Sequence, residues 1–248
     1  MLQGRLALVT GAGRGNGRAI ALGLAQAGAR VVATDLDARA ADETATMIRD
    51  AGGTAWSHGL DVTVAEDCRS IATQVGEEAG AVDLLVNNAG IIIREGINSV
   101  DAPANWRRTI DVNVNGTFNV THAWLASLKS TRGTIVNIAS IAAYAGQAGS
   151  LGYSPSKGAI KMLTQSLAAE LAADGVRVNA LAPGVIETAM TAATLADPER
   201  IATFMNRIPM GRIGQPADLV GPVIFLSSDM ARYVTGVTLA VDGGFLAV

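Results

Sequence analysis

The stretch ALVTGAGRGNGRAIALGLA, from Ala7 to Ala25, constrains the fold more than any other part of the chain. A short apolar run reaches a glycine-rich turn, and the turn opens directly into an alanine-rich helical run. Gly11, Gly15 and Gly17 permit a tight turn and a close approach of other groups to the backbone. The first N–H groups of the helix then have no intrahelical partner and can hold a pyrophosphate. A glycine string alone is weak evidence. Its position between a strand and a helix makes it a strong dinucleotide signature.

The rest of the chain repeats that alternation. RLALVT from Arg5, RVVATD from Arg30, DLLVNN from Asp83, GTIVNIAS from Gly133, VRVNALAP from Val176 and VTLAVDGG from Val237 read as buried strands. TAWSHGLDV from Thr54 reads as a weaker one, which makes seven. The intervening GRAIALGLAQAG, DARAADETATMIRDAG and VAEDCRSIATQVGEEAG read as helices, each closing in glycine. Near-continuous apolar strands separated by helices specify a parallel sheet covered on both faces. The expectation is one doubly wound Rossmann α/β domain over residues 1–248, with a seven-stranded parallel sheet. Residues 183–210 break the pattern and are expected to form a substrate-binding loop region.

The chain is 49% apolar but only 4% aromatic, so Ala, Val, Leu and Ile must fill the core. A net charge of −3 without a basic run argues against nucleic acid as a partner. The single Cys68 excludes an internal disulfide and is read as a helix-face residue. Two His and one Cys, far apart, argue against a zinc site, and no carboxylates show metal-ligand spacing. No run reaches ~18 apolar residues and no leader pattern opens the chain. A soluble cytoplasmic protein is expected, with no membrane partner.

Asp35 closes the second strand about 20 residues past the glycine turn, where a carboxylate accepts both hydroxyls of an adenosine ribose. It would repel a 2′-phosphate, so it favours NAD, with NADP as second choice. Arg14, inside the turn, and Arg39, just beyond Asp35, are the counter-evidence, because either could pair with that phosphate. Asp61 reads either as an acceptor for the adenine amino group or as a turn residue.

A second stretch, SLGYSPSKGAIKML from Ser150, sets Tyr153 and Lys157 one helical turn apart on one face. Pro155 between them is harmless only within the first turn of a helix. The helix must therefore start at Tyr153 or one or two residues before it. A free tyrosine has a pKa of ~10, too high for a good base near neutrality, and a neighbouring cation lowers it.

Taken together, TGAGRGNG, NNAG (Asn87 to Gly90), NVNGTF with Asn113, IVNIAS with Ser140, YSPSK with Tyr153 and Lys157, PGVIET and VDGG resemble the short-chain dehydrogenase/reductase family over essentially the whole chain. Ser140 and Tyr153 have the family's spacing. The resemblance implies hydride transfer between nicotinamide and a secondary alcohol or ketone. It makes Tyr153 the acid/base and Lys157 the cation that lowers its pKa and holds the nicotinamide ribose. Ser140 steadies the substrate oxygen, and Asn113 anchors a relay water. The cofactor surface then comprises Gly11, Arg14, Gly15, Asn16, Gly17, Asp35, Asp61, Val62, Asn88, Ala89, Gly90, Tyr153, Lys157, Pro183, Gly184, Ile186 and Thr188. The resemblance also implies a homo-oligomer, a tetramer first and a dimer second. Two positions depart from the pattern: Asn16 stands where an apolar residue is common, and Pro155 where Ala is.

The substrate is expected to be a sugar, sugar acid or deoxy-keto sugar acid. Arg94, just past the fourth strand, could clamp a carboxylate, and Tyr144, Gln147, Ser150, Ser140 and Tyr153 could bond hydroxyls. NNAGI with its following Arg, IPMGRIGQPADL and LAVDGG resemble members that oxidise gluconate-type acids. The competing readings are an NADPH-dependent 3-oxoacyl-[acyl-carrier-protein] reductase and a non-catalytic NAD(H)-binding regulator.

Overall fold

The computed structural model describes residues 1–248. Seven strands form one sheet: β1 (Leu6–Thr10), β2 (Arg30–Asp35), β3 (Ala55–Gly59), β4 (Leu84–Asn87), β5 (Thr134–Ile138), β6 (Arg177–Pro183) and β7 (Thr238–Val241). The order across the sheet is β3-β2-β1-β4-β5-β6-β7, and every pairing is parallel. Leu8 sits between Val32 and Leu85 at the centre. Parallel strands need crossovers, and these are α1 (Gly15–Gln26), α2 (Ala38–Asp50), α3 (Ala65–Glu78), α4 (Ala102–Ile110), α5 (Gly116–Ala123), α6 (Leu125–Thr131), α7 (Tyr153–Leu171), α8 (Ala192–Leu195), α9 (Pro198–Met205) and α10 (Val220–Ser227). The doubly wound seven-stranded fold is the one the sequence predicts.

The two faces of the sheet are visible in β1. Ala7 and Val9 join a core with Ile20 and Leu24 of α1, Ile48 of α2 and Val223 and Leu226 of α10. Leu6 and Leu8 join the opposite core with Cys68 and Val75 of α3, Val120 of α5, Leu128 of α6 and Leu171 of α7. Alternate side chains of a strand point to opposite faces, so a run apolar at every position must be covered twice. Cys68 lies on the core face of α3, fully buried.

The structure trims every strand except β2 relative to the sequence reading, most at β3, β5 and β7. β3 ends at Gly59 because Asp61 turns the chain, its Oδ1 accepting from the backbone N and hydroxyl of Thr63 at 2.9 and 2.7 Å. β4 ends at Asn87 because Asn88 turns back toward β1. α7 begins at Tyr153, which places Pro155 in its first turn as required. Residues 183–210 are not wholly irregular: they carry α8 and α9, the latter capped by Asp197, which accepts from the N–H groups of Glu199 and Arg200. No helix is long and apolar enough to cross a membrane.

The sheet order reverses between β1 and β4, so the chain leaves these two neighbours in opposite directions. That divergence opens a crevice beyond their carboxyl ends, where ligands of such sheets bind.

Candidate active site

The glycine turn lies on one wall of this crevice. Gly11 and Gly15 have φ of +62° and +53°, values that side-chain-bearing residues rarely adopt. A Cβ on Gly17 would stand 2.0 Å from the Gly11 carbonyl oxygen, so any other residue would push the turn apart. The structure adds Gly13, which the sequence reading does not single out. Its N–H donates to Asp35 Oδ2 at 2.9 Å, and a Cβ there would collide with Ala40 and the Asp35 carboxylate. Asp35 is thus fixed at the lip of the turn, its Oδ1 also accepting from the Asp37 N–H.

Two observations fit this wall to an anionic dinucleotide. No side chain caps α1, which leaves the amides of its first turn for an external acceptor. The Asn16 Oδ1 in that same turn is buried without a protein partner and, as an acceptor, suits a ribose hydroxyl of the dinucleotide and not a phosphate oxygen. Arg14 is exposed beside it, as is Arg39 beyond Asp35.

The opposite wall follows β4. Asn88 Nδ2 donates to the carbonyls of Thr10 and Gly11 at 2.9 and 3.0 Å, while the N–H groups of Asn88 and Ala89 donate to Thr10 Oγ1. Thr10, another residue the sequence reading misses, therefore locks the loop after β4 onto the glycine turn. Val62 is buried against α5, its carbonyl accepting from Asn119 Nδ2 at 3.0 Å, and Asp61 beside it engages only Oδ1.

The loop after β6 closes the crevice from a third side. Gly184 packs so tightly on the loop after β7 that a Cβ would reach Asp242 Cα at 2.8 Å, and Pro183 ends β6 immediately before it. The Ile186 carbonyl accepts from Thr191 Oγ1. A backbone contact from Ile186 to a ligand thus falls to its N–H. Thr188 Cγ2 lies 3.4 Å from where a Gly15 Cβ would be, which sets Thr188 over the glycine turn.

Tyr153, Lys157, Ser140 and Asn113 meet at the inner end of this crevice. Ser140 follows β5 and is buried, its Oγ accepting from the Ala142 N–H at 3.1 Å. Lys157 Nζ donates to the Ile138 carbonyl at 2.7 Å and lies 5.7 Å from the Tyr153 ring centroid. Burial lowers the Lys157 ammonium to about 8. Burial also raises the Tyr153 phenol, while the Ser140 hydroxyl and then the Arg94 charge oppose that rise. The sequence argument expects Lys157 to pull the phenol down. Within the protein alone desolvation wins, because the ammonium is turned to Ile138.

Asn113 sits in a single π-helical turn, Asp111–Asn115, between α4 and α5, a distortion that often marks functional sites. Its Oδ1 accepts from the Ile91 N–H at 2.8 Å, and its Nδ2 donates to the Ile91 carbonyl and to Ser156 Oγ. Both polar atoms are thus engaged, and the side chain braces the loop after β4 against α7. A relay water at Asn113 would therefore be held by its backbone carbonyl, which accepts a bond from Thr117 Oγ1 at 2.9 Å. Gly90 keeps the gap open: a Cβ there would stand 3.1 Å from Asn113 Oδ1 and 3.5 Å from Lys157 Nζ.

The candidate substrate residues divide. Arg94 reaches the site: its charge acts on Tyr153, and its Nη2 donates to Thr194 Oγ1 of α8 at 2.6 Å. Gln147 lines a cavity with Ile141, Thr203, Phe204, Arg207 and Phe245. Ser150 is buried against the Gln147 carbonyl. Tyr144 is drawn elsewhere. Its hydroxyl donates to the Thr238 carbonyl of the edge strand β7 at 3.3 Å and its ring lies under Lys161, so the side chain faces β7 in this structure.

A family model described as Enoyl-(Acyl carrier protein) reductase matches residues 11–246. The 2-dehydro-3-deoxy-D-gluconate 5-dehydrogenase of Bacillus subtilis is 42% identical, over 99% of this chain and 96% of its own. The 2-(S)-hydroxypropyl-CoM dehydrogenase 3 of Xanthobacter autotrophicus is 41% identical, over 100% and 98%. The crystal structure of a gluconate 5-dehydrogenase from Burkholderia cenocepacia, in complex with NADP and tartrate, superposes with a TM-score of 0.96 at 38% identity, covering 100% of this chain and 97% of that one. With its motifs assembled in one crevice and full-length relatives of this kind, the chain belongs to the short-chain dehydrogenase/reductase family.

Proposed function

We propose that this protein is a nicotinamide-dependent dehydrogenase that interconverts a secondary alcohol and a ketone on a sugar acid or deoxy-keto sugar acid. The observation that carries the reading is the meeting of Tyr153, Ser140 and Lys157 beside the glycine turn, with the Arg94 guanidinium acting on the same phenol. The relatives that oxidise gluconate-type acids, and the tartrate in one neighbour, support the substrate class.

A bound nicotinamide supplies the hydride acceptor or donor. In the oxidising direction Tyr153 takes the hydroxyl proton as the carbon loses hydride, and in reduction it returns that proton to the oxygen. Ser140 donates to the reacting oxygen and holds it beside the phenol. Lys157, one turn on, keeps a positive charge near the developing phenolate. Asn113 acts as a positioning residue, holding Ile91 and Ser156 on either side of the site. The first-turn amides of α1 hold the pyrophosphate, and Asp35 takes the adenosine ribose, which favours NAD over NADP.

The neighbour with NADP, and the unpaired Arg14 and Arg39, favour the other cofactor. They keep an NADPH-dependent 3-oxoacyl reductase as the second reading. A homo-oligomer, tetrameric before dimeric, is the expected assembly, and the exposed Phe118 on α5, Val237 just before β7 and Leu239 on it offer apolar surface for its contacts.

The test is nicotinamide absorbance during turnover of sugar acids, polyols and oxoacyl thioesters, each with NAD(H) and NADP(H). The reading predicts the highest kcat/KM for a sugar acid with NAD. Turnover of oxoacyl thioesters alone, with NADPH alone, would replace it with the second reading.

A further inference from the structure

Arg94 does not stand alone at the mouth of the crevice. Its Nη2 bond to the buried Thr194 fixes the guanidinium between the loop after β4 and α8. α8 packs on α9, and α9 carries Arg200 in its first turn. The cap from Asp197 to the Arg200 N–H sets where that turn begins. Side chains on a helix lean toward its N-terminus. Arg200 accordingly reaches across the crevice, its Nη2 lying 3.8 Å from where a Cβ of Gly149 would be, just before Tyr153.

Arg94, tied to α8 and acting on the phenol, and Arg200, over the loop that precedes Tyr153, therefore lie near each other at the mouth of the crevice, and neither pairs with an acid. None of the protein's seven ion pairs includes Arg94 or Arg200, although Glu95 and Glu199 are their chain neighbours. Their mutual repulsion is unfavourable unless a ligand relieves it. Burial and then the like charge of Arg200 hold Arg94 below the usual guanidinium range. Thr194 takes one N–H of Arg94, leaving four donors for a ligand.

We propose that Arg94 and Arg200 together form the receptor for the carboxylate of the substrate, one arm on the body of the fold and one on the segment after β6. The anion then ties that segment over Tyr153. Arg200 is the residue this adds, a specificity determinant that selects hydroxy acids over neutral polyols. The inference rests on the sugar-acid reading above.

The test is calorimetric titration of the enzyme–NADH complex with D-gluconate and with D-sorbitol, which carries CH₂OH in place of the carboxylate. Wild type, Arg200→Gln, Arg200→Lys and Arg94→Gln are compared, with NADH affinity reporting that each variant is folded. A charge-assisted contact predicts that gluconate binding falls roughly tenfold to a hundredfold in Arg200→Gln. Sorbitol binding should move far less, and Arg200→Lys should recover part of the loss. Hydrogen exchange in residues 191–205 should slow with gluconate in wild type and not in Arg200→Gln. Equal weakening of both ligands would reduce Arg200 to a structural role and overturn the proposal. A wild-type preference for gluconate that survives Arg200→Gln overturns the receptor but leaves the sugar-acid reading standing. A wild type that binds and oxidises only neutral polyols overturns both.

Discussion

Replacing Lys157 with methionine should abolish turnover and yet leave the cofactor-free protein as stable as wild type, or more so, at pH 7. The ammonium is buried, and its pKa falls from 10.5 to about 8. A lysine whose folded pKa lies below its unfolded value binds fewer protons when folded. Stability is therefore withheld at low pH and regained as pH climbs from about 8 toward 10.5. At pH 7 the charge costs the folded state about 3 kcal/mol. Methionine keeps the packing volume but leaves the Ile138 carbonyl without its 2.7 Å donor, a loss of about 1–3 kcal/mol. The net expectation is a variant between neutral and about 2 kcal/mol more stable at pH 7. Between pH 7 and pH 9 wild type regains about 1 kcal/mol of this cost, whereas the thioether of the variant has no proton to lose. Urea unfolding of both proteins at the two pH values reads the difference, since other groups titrate alike in each. A stability difference that stays flat from pH 7 to pH 9 would refute the argument that burial, and not a fixed ion pair, sets the state of this lysine.

Gly17→Ala should fold but lose NADH affinity at least tenfold by fluorescence titration, because its methyl would stand 2.0 Å from the Gly11 carbonyl and open the turn; near-wild-type affinity would show that the turn yields cheaply. Asp35→Ser should shift the ratio of kcat/KM for NADP over NAD upward by at least tenfold, and an unchanged ratio would pass cofactor choice to Arg14 and Arg39. Asn113→Ala removes three hydrogen bonds that join the loop after β4 to α7. It should lower stability by about 2–4 kcal/mol, or roughly 5–15 °C in Tm. An unchanged Tm with lost activity would instead support a role in proton relay.

Local patterns make the fold legible. The glycine turn, the apolar strands and Pro155 act over a few residues, and each sits where its backbone chemistry requires. Contacts between loops that follow different strands are not legible in this way. Arg94 and Thr194 touch across 100 residues of sequence, and the opposition of Arg94 and Arg200 exists only once α8 and α9 are folded over the sheet. Thr10 reads as the last residue of a strand, and only the folded loop after β4 reveals the two N–H groups that bond to it. Asn113 is visible as a polar residue in a helix, but its neighbours Ile91 and Ser156, which consume its side chain, are not. Tyr144 lies close in sequence to the catalytic candidates, and the turn after Ala143 carries it to β7 instead. Sequence spacing aligns Lys157 with Tyr153. It does not show that a nearby carbonyl takes the ammonium and that burial sets the pKa of both.

The central claim is that the Tyr153 phenol moves the proton that accompanies hydride transfer. It is tested most directly by single-turnover NADH formation in Tyr153→Phe loaded with NAD and the best sugar acid, with NADH affinity measured on the same preparation. The account predicts wild-type NADH affinity and a rate lowered roughly 10²- to 10⁴-fold, the range of a positioned general acid/base. A rate within tenfold of wild type, with affinity intact, would contradict it and send the search for the proton acceptor elsewhere in the crevice.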